Sequence, residues 1–405
     1  MVSRRTPRWH VALLPFAIFP LLGTTPPGPQ REGIAALGAD TEARWVPFDL
    51  TPGNQIRFTA TLDGRSVTAI LDTGVSYSVL ARGSAAADPG RITANGQATA
   101  IGGAGNGAVA IGWQATRTLT IGGLTRSGGG VTVADLPAIA TGSATPVDLL
   151  VGRDVTGGQA LDVDYANRRF RLLPSGRLPF VGALAPLAVS AGRRVYESAV
   201  TIAGERIAPV IVDTGDGSAL TLSAAAARRA RIDRLPSTTT VSFGLAGETV
   251  STLAILPAVT IGQQAIRNVE TRIEPAGGFS ETIGVAGRIG SGLLQHYRVL
   301  LDPTAGRMVL RPGPDADAAP LRSTSGLLVG LERDRLKVLH VMRGGPAQAA
   351  GWRTGETICR IDDQPIGADY PASALAKWSV GAPGTAVRLG LCDGTTRVLT
   401  LARFY

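Results

Sequence analysis

Cysteine, histidine, lysine and aromatic side chains are all scarce in this 405-residue chain. The only cysteines are Cys359 and Cys392, both late in the sequence, so no disulfide scaffold organises the bulk of the fold. In an exported protein the two pair if their strands adjoin. The histidines are His10, His296 and His340, and no Cys-x-x-Cys or His-Glu-x-x-His run occurs, which leaves no donor set for a structural zinc site or a zinc hydrolase. With so few histidines and no Gly-x-Ser-x-Gly elbow, a Ser-His-Asp hydrolase is also disfavoured. Lys337 and Lys377 are the only lysines, so the formal charge of +9 is carried by arginine. Those arginines are scattered, without an aromatic-interleaved basic stripe, and this speaks against nucleic-acid binding. Aromatic residues make up 5% of the chain while glycine numbers 52, and long helical periodicities are missing. Together these predict a turn-rich, mainly β protein, long enough for two or three cores.

What the sequence does contain is a repeated stretch. Ala69-Ile70-Leu71-Asp72-Thr73-Gly74-Val75-Ser76-Tyr77-Ser78 has an echo in Val210-Ile211-Val212-Asp213-Thr214-Gly215-Asp216-Gly217-Ser218, 141 positions later. Each copy reads as a short buried strand ending in a carboxylate, a hydroxyl residue and a glycine. One Asp-Thr-Gly is a common turn. Two behind equivalent apolar runs point to a duplicated unit whose carboxylates meet near a pseudo-twofold axis. Carboxyl groups held that close share a proton, leaving one as base and the other as acid, and such a pair can activate water. Thr73 and Thr214 suit a bracing role across the axis, and Gly74 and Gly215 let the turns approach without a side chain in the way.

The surroundings repeat as well. Upstream of Asp72 the pattern is strand Gln55–Leu62, an Asp63-Gly64 turn and strand Ser66–Leu71; upstream of Asp213 it is Glu197–Ile202, Ala203-Gly204 and Arg206–Val212. The second copy then passes into a serine-capped helix from Ser223 to Arg229. Each half carries a glycine-rich hairpin, with Gly102, Gly103, Gly105 and Gly107 in the first and Phe243 to Gly247 in the second. The first is the better candidate for a flap closing over an extended substrate; a plain turn is the simpler reading of both. Each half ends in a short apolar element running into glycine and a closing hairpin: Asp148-Leu149-Leu150-Val151-Gly152 with Ala160–Leu173, and Ile289-Gly290-Ser291-Gly292-Leu293-Leu294 with Tyr297–Leu310.

These ordered features, from about residue 46 to 312, resemble the aspartic proteases, most closely their retropepsin-like bacterial and retroviral branches, because the first glycine-rich hairpin lacks a tyrosine. The resemblance implies a single-chain, two-lobed fold with one lobe at 46–174 and a second at 195–312. It also implies that Asp72 and Asp213 are the catalytic pair, that Thr73, Gly74, Thr214 and Gly215 support it, and that Ser76 hydrogen-bonds Asp72, with Ser218 its displaced counterpart. Each closing hairpin would complete its own lobe. The implied activity is endopeptidase cleavage of polypeptide without metal or organic cofactor. The second loop departs from the pattern: Ser218 falls one place later than Ser76, and Asp216 adds a negative charge beside the pair. A peptide-binding or scaffolding protein that keeps this fold without turnover is the alternative reading.

The two ends of the chain read differently. Residues 1–30 place Arg4, Arg5 and Arg8 before the apolar Val11–Leu22 and a proline-rich tether, a signal-peptide pattern that implies export to a periplasmic or extracellular compartment. It fits a cleaved leader or a retained membrane anchor. Beyond a linker at 313–322, residues 323–405 closely resemble a PDZ domain of the bacterial protease-associated kind, on the strength of Gly326-Leu327-Leu328-Val329, Leu336–Val341, Gly344-Gly345-Pro346 and Gly355–Asp362. The resemblance implies that Gly326, Leu327, Leu328 and Val329 offer backbone N–H groups to a peptide C-terminus or protein partner. It further implies a helix at Ala372–Trp378, and it places Cys359 and Cys392 on neighbouring strands.

Overall fold

The computed structural model describes residues 33–100, 107–138, 146–245, 247–367 and 369–405. The chain is mainly β; among the described residues its strands lie in four sheets and its helices are seven residues or shorter. No helix among the described residues is long and apolar enough to cross a membrane.

The duplication seen in the sequence reappears as topology. In the first sheet, Leu149–Val151 runs parallel to Arg65–Leu71 and antiparallel to Val79–Ala81, which in turn lies parallel to Gly130–Ala134. In the second sheet, Gly287–Gly290 runs parallel to Glu205–Asp213 and antiparallel to Leu220–Leu222, which lies parallel to Gln264–Ile273. Both central strands are entered through the same turn: Asp63 and Gly64 have φ of 50° and 84°, and Ala203 and Gly204 have φ of 50° and 84°. Two successive positive φ values match the right-handed twist of the flanking strands, so each hairpin emerges in register for its acidic loop. The strands beneath the loops, Leu149–Val151 and Gly287–Gly290, are buried throughout. The expected helix forms at Ala224–Arg229, capped by the Ser223 hydroxyl, which accepts the Ala226 N–H at 3.1 Å.

The closing hairpins do not each complete their own half. Ala160–Asp164 pairs with Tyr297–Asp302, Val163 opposite Val299, so both hairpins merge into one six-stranded sheet with Val46–Pro47 and Ala183–Pro186 at its edges. Left within separate halves, each hairpin would expose an edge of unpaired N–H and C=O groups; pairing across the halves removes both edges. Fully buried Asp162 secures the seam by accepting from Arg298 Nε and Nη2 at 2.9 and 2.8 Å and from Arg171 Nε at 3.0 Å. That forked, charge-assisted geometry ties the two ends of the duplicated segment together.

The fourth sheet belongs to the C-terminal unit and runs Leu327–Glu332, Arg335–Val341, Thr357–Ile361, Ala386–Leu391, Thr396–Thr400, around a core containing Leu336, Val338, Ile358 and Leu389. Cys359 and Cys392 form a disulfide, with Cα atoms 5.1 Å apart. The helix expected at Ala372–Trp378 is instead two 3-10 segments, Tyr370–Ala372 and Ala374–Val380, because Ser373 between them is extended (φ −82°, ψ 161°). The Trp378 indole N–H donates to the Tyr370 hydroxyl at 3.1 Å, which fixes the break inside the core.

Candidate active site

The two Asp-Thr-Gly loops face each other and are bound reciprocally. The Thr73 hydroxyl donates to the Val212 carbonyl at 2.7 Å and accepts the Thr214 N–H at 3.0 Å. Thr214 does the same in reverse, donating to the Leu71 carbonyl at 2.7 Å and accepting the Thr73 N–H at 3.0 Å. Each loop therefore positions the carboxylate of the other. A Cβ placed on Gly74 would lie 2.4–2.6 Å from the carboxyl atoms of Asp213, and one on Gly215 would lie 2.3–2.5 Å from those of Asp72. No heavy atom tolerates such contact, so glycine at both positions is a condition of bringing the carboxyls together.

Asp72 and Asp213 are fully buried. Asp72 Oδ1 accepts the Gly74 N–H at 3.0 Å; Asp213 Oδ1 accepts the N–H groups of Gly215 and Asp216 at 3.0 and 3.1 Å. The Oδ2 atom of each is buried and, apart from the opposite carboxyl, has no hydrogen-bonding partner among the described residues. Burial, and then the charge of Asp213 beside it, hold the Asp72 carboxyl well above the usual carboxylate range. Burial and the charge of Asp216 push Asp213 up to about 7, with the Arg288 guanidinium opposing. Near neutral pH such a pair retains a proton between its facing oxygens.

No protein-family model and no curated protein matches the chain.

The serines of the two loops are engaged elsewhere than expected. Ser76 Oγ donates to the Arg193 carbonyl at 2.6 Å instead of to Asp72. The segment joining the halves approaches this loop closely, Arg194 also donating to the Tyr77 hydroxyl at 2.6 Å, and so brings the Arg193 carbonyl within reach of Ser76. Ser218 Oγ bonds Thr221 Oγ1 at 2.8 Å, while its N–H donates to Asp216 Oδ1 at 2.9 Å.

Asp216 anchors an ionic network with no equivalent in the expected site. Its Oδ2 accepts from Arg288 Nε at 3.0 Å, and Arg288 also donates to Ser280 Oγ at 2.9 Å and to Glu274 Oε1 at 2.8 Å, all out of solvent. The first half uses a different arrangement. There Asp154, carried by the short helix Arg153–Thr156, accepts the N–H and hydroxyl of Ser78, both at 2.8 Å, and Arg126 Nη1 at 2.9 Å. Arg288 could have been suspected as the single charge in the run Val285-Ala286-Gly287-Arg288-Ile289, whereas Leu124-Thr125-Arg126-Ser127 carries no such signal. Further contacts brace the second loop: Gln55 Nε2 donates to the Gly215 carbonyl at 3.2 Å, Asn54 Nδ2 to the Gly217 carbonyl at 3.0 Å, and Ser291 Oγ to the Thr214 carbonyl at 2.7 Å. Among the described residues no group of three or more His, Cys, Asp or Glu side chains is arranged to hold a metal ion.

Of the first glycine-rich hairpin, Gly102, Gly103 and Gly105 lie outside the described residues, and Gly107 pairs with Ala100 at the end of the ladder. The second hairpin, less favoured from sequence, is the one seen to cross between the halves. Its strands Ser237–Gly244 and Gly247–Ile261 carry Leu245, which packs on an apolar cluster of the first half that contains Val75, three residues beyond Asp72.

In the C-terminal unit, the N–H groups of Gly326 and Leu327, expected to face a carboxylate, are held by the hydroxyls of Ser323 and Ser325 at 3.1 and 3.0 Å. Hydroxyls three and two residues upstream reach these donors locally and satisfy them. Leu327 is buried in the unit's own core, Leu328 is buried on the opposite face, and Val329 pairs with Val338. Among the described residues, strand Leu327–Glu332 pairs only with Arg335–Val341, so its outer edge is unpaired.

Proposed function

We propose that the chain is an aspartic endopeptidase of the retropepsin-like type, with two lobes that each supply one acid and a C-terminal PDZ-like module. The observation that carries this reading is the reciprocal threonine bonding, which holds two buried carboxyls against each other's glycines. Asp213, the less strongly raised of the two and the one whose Oδ1 receives two N–H groups, is assigned the base; Asp72 holds the proton. A water bound between the Oδ2 atoms gives a proton to Asp213 as its oxygen attacks the scissile carbonyl carbon. Asp72 passes its proton to the carbonyl oxygen, and a neutral tetrahedral diol results. Collapse returns a proton to Asp72 as the carbonyl re-forms, the C–N bond breaks, and the amine leaves with the proton held by Asp213. No covalent enzyme adduct forms.

The PDZ-like module is assigned to peptide or partner capture along the free edge of Leu327–Glu332. The disulfide supports export, since such bonds persist in oxidising compartments. One observation favours the alternative of a binding protein without turnover: both carboxyls are fully buried in this conformation. The two readings separate on the purified full chain mixed with an unfolded polypeptide. Cleavage that disappears in both Asp72→Asn and Asp213→Asn supports the peptidase; cleavage that survives both changes, or peptide binding with no cleavage by any form of the chain, refutes it.

A further inference from the structure

The hairpin formed by Ser237–Gly244 and Gly247–Ile261 belongs to the second sheet but also touches two other parts of the molecule. At its end, Leu245 packs on the first half beside the Asp72 loop. Along its side, Val241, Phe243 and Leu253 form a buried cluster with Leu328 and Met342 of the C-terminal unit, bordered by Leu339, Phe404 and Tyr405. Polar contacts flank the cluster. Thr238 Oγ1 donates to the Arg343 carbonyl at 2.8 Å, Thr239 Oγ1 accepts the Arg343 N–H at 3.1 Å, and Thr239 Oγ1 also lies 2.8 Å from His340 Nε2.

We propose that the C-terminal unit is a clamp that holds this hairpin closed over the acid pair, so that the folded chain is a latent form whose site opens when the contact is released. This deepens the peptidase reading and rests on it for the purpose of the acid pair. The contact is made by side chains that the C-terminal unit does not use for itself: Leu327 points into its core, whereas the next residue, Leu328, points across the interface. Separated, Leu328 and Met342 on the C-terminal unit and Val241 and Phe243 on the hairpin would each face water, which gives the closed form its driving force. The hydrogen bonds supply direction, since Thr239 engages both His340 and Arg343 of the same segment and so sets where the hairpin lies. Leu328 sits on the strand whose outer edge is free, so a polypeptide pairing there acts on the strand that secures the hairpin. Capture of a chain and release of the site are thereby linked through one residue.

Hydrogen–deuterium exchange on the full chain, read by mass spectrometry, tests the clamp without reference to activity. In Leu328→Asp and in Thr239→Val, exchange across 237–245 and 247–253 is expected to quicken by about tenfold, while Thr357–Ile361 and Leu149–Val151 keep their protection. Thr239 lies outside the C-terminal unit, so its variant carries the test even where Leu328→Asp unfolds that unit. The initial rate on an unfolded polypeptide is expected to rise in both. Hairpin exchange that stays as slow as in the unaltered chain in both variants overturns the clamp, and so does a rate that falls as the hairpin loosens. Loosening with no cleavage by any form leaves the clamp standing and removes the peptidase reading. Full cleavage by the unaltered chain with no loosening does the reverse.

Discussion

Thr73 and Thr214 exchange hydrogen bonds in a closed ring: each hydroxyl accepts the other's N–H at 3.0 Å and donates to the carbonyl of the residue preceding the other's aspartate at 2.7 Å. Both threonines are buried, so no water replaces a lost partner. Thr214→Val keeps the shape but leaves the Thr73 N–H and the Leu71 carbonyl unpaired, and is expected to cost about 2–4 kcal/mol. Denaturant unfolding measures this, and a double-mutant cycle with Thr73→Val is expected to show strong non-additivity, because either change alone breaks the ring.

The acid pair should make stability depend on pH with an unusual sign. An unfolded aspartate titrates near 3.8, whereas buried Asp213 keeps its proton up to about 7. Between those values the folded state binds more protons than the unfolded state, so stability falls as pH rises through that window, and Asp72, raised more strongly, carries the fall beyond it. The loss is roughly a few kcal/mol. Asp213→Asn is expected to flatten the slope when unfolding midpoints are compared from pH 4 to 7.5.

Asp216 and Arg288 act on Asp213 in opposite directions, the first raising its pKa and the second lowering it. Asp216→Asn, with Arg288 still paired to Glu274, is expected to bring the Asp213 midpoint below about 7; Arg288→Met is expected to raise it. Carboxyl carbon NMR titration reads both. Arg288→Met also strands Asp216 and Glu274 out of water and should destabilise the fold by about 3–5 kcal/mol. Movement of the midpoint in the same direction in both variants would rule out this account of the network.

The Cys359–Cys392 bond closes a loop with a sequence separation of 33 inside the C-terminal sheet. By chain entropy, a loop of that length contributes about 3–4 kcal/mol. A Cys359→Ser/Cys392→Ser chain is therefore expected to lose protection in Thr357–Ile361 and Ala386–Leu391, while the two larger sheets exchange as before. Site-resolved hydrogen exchange distinguishes that from global loosening.

Local chemistry made much of this protein readable in advance. The Asp63-Gly64 and Ala203-Gly204 turns, the apolar strands running into Asp72 and Asp213, and the Ser223 cap depend on φ preferences and on the period of neighbouring side chains, properties a few residues carry with them. Repetition of those signals 141 positions apart was enough to nominate two aspartates as a pair. Long-range pairing was not readable. Nothing near Ala160–Asp164 specifies Tyr297–Asp302 as its partner, and an open strand edge accepts any strand of suitable register. The same holds for buried charge: Arg126 and Arg288 need a carboxylate, but which one arrives depends on packing across the sheet, so one half uses Asp154 and the other Asp216. The Ser76 hydroxyl bonds whichever acceptor the tertiary structure brings nearest, the Arg193 carbonyl. The sequence by itself therefore determined the strands, the turns and the two acidic loops, because these are set over a handful of residues. Tertiary structure alone decided how the halves are sewn together, which partners hold the loops, and that the C-terminal unit lies against the second hairpin, because each is a choice among distant surfaces settled by edge pairing and desolvation.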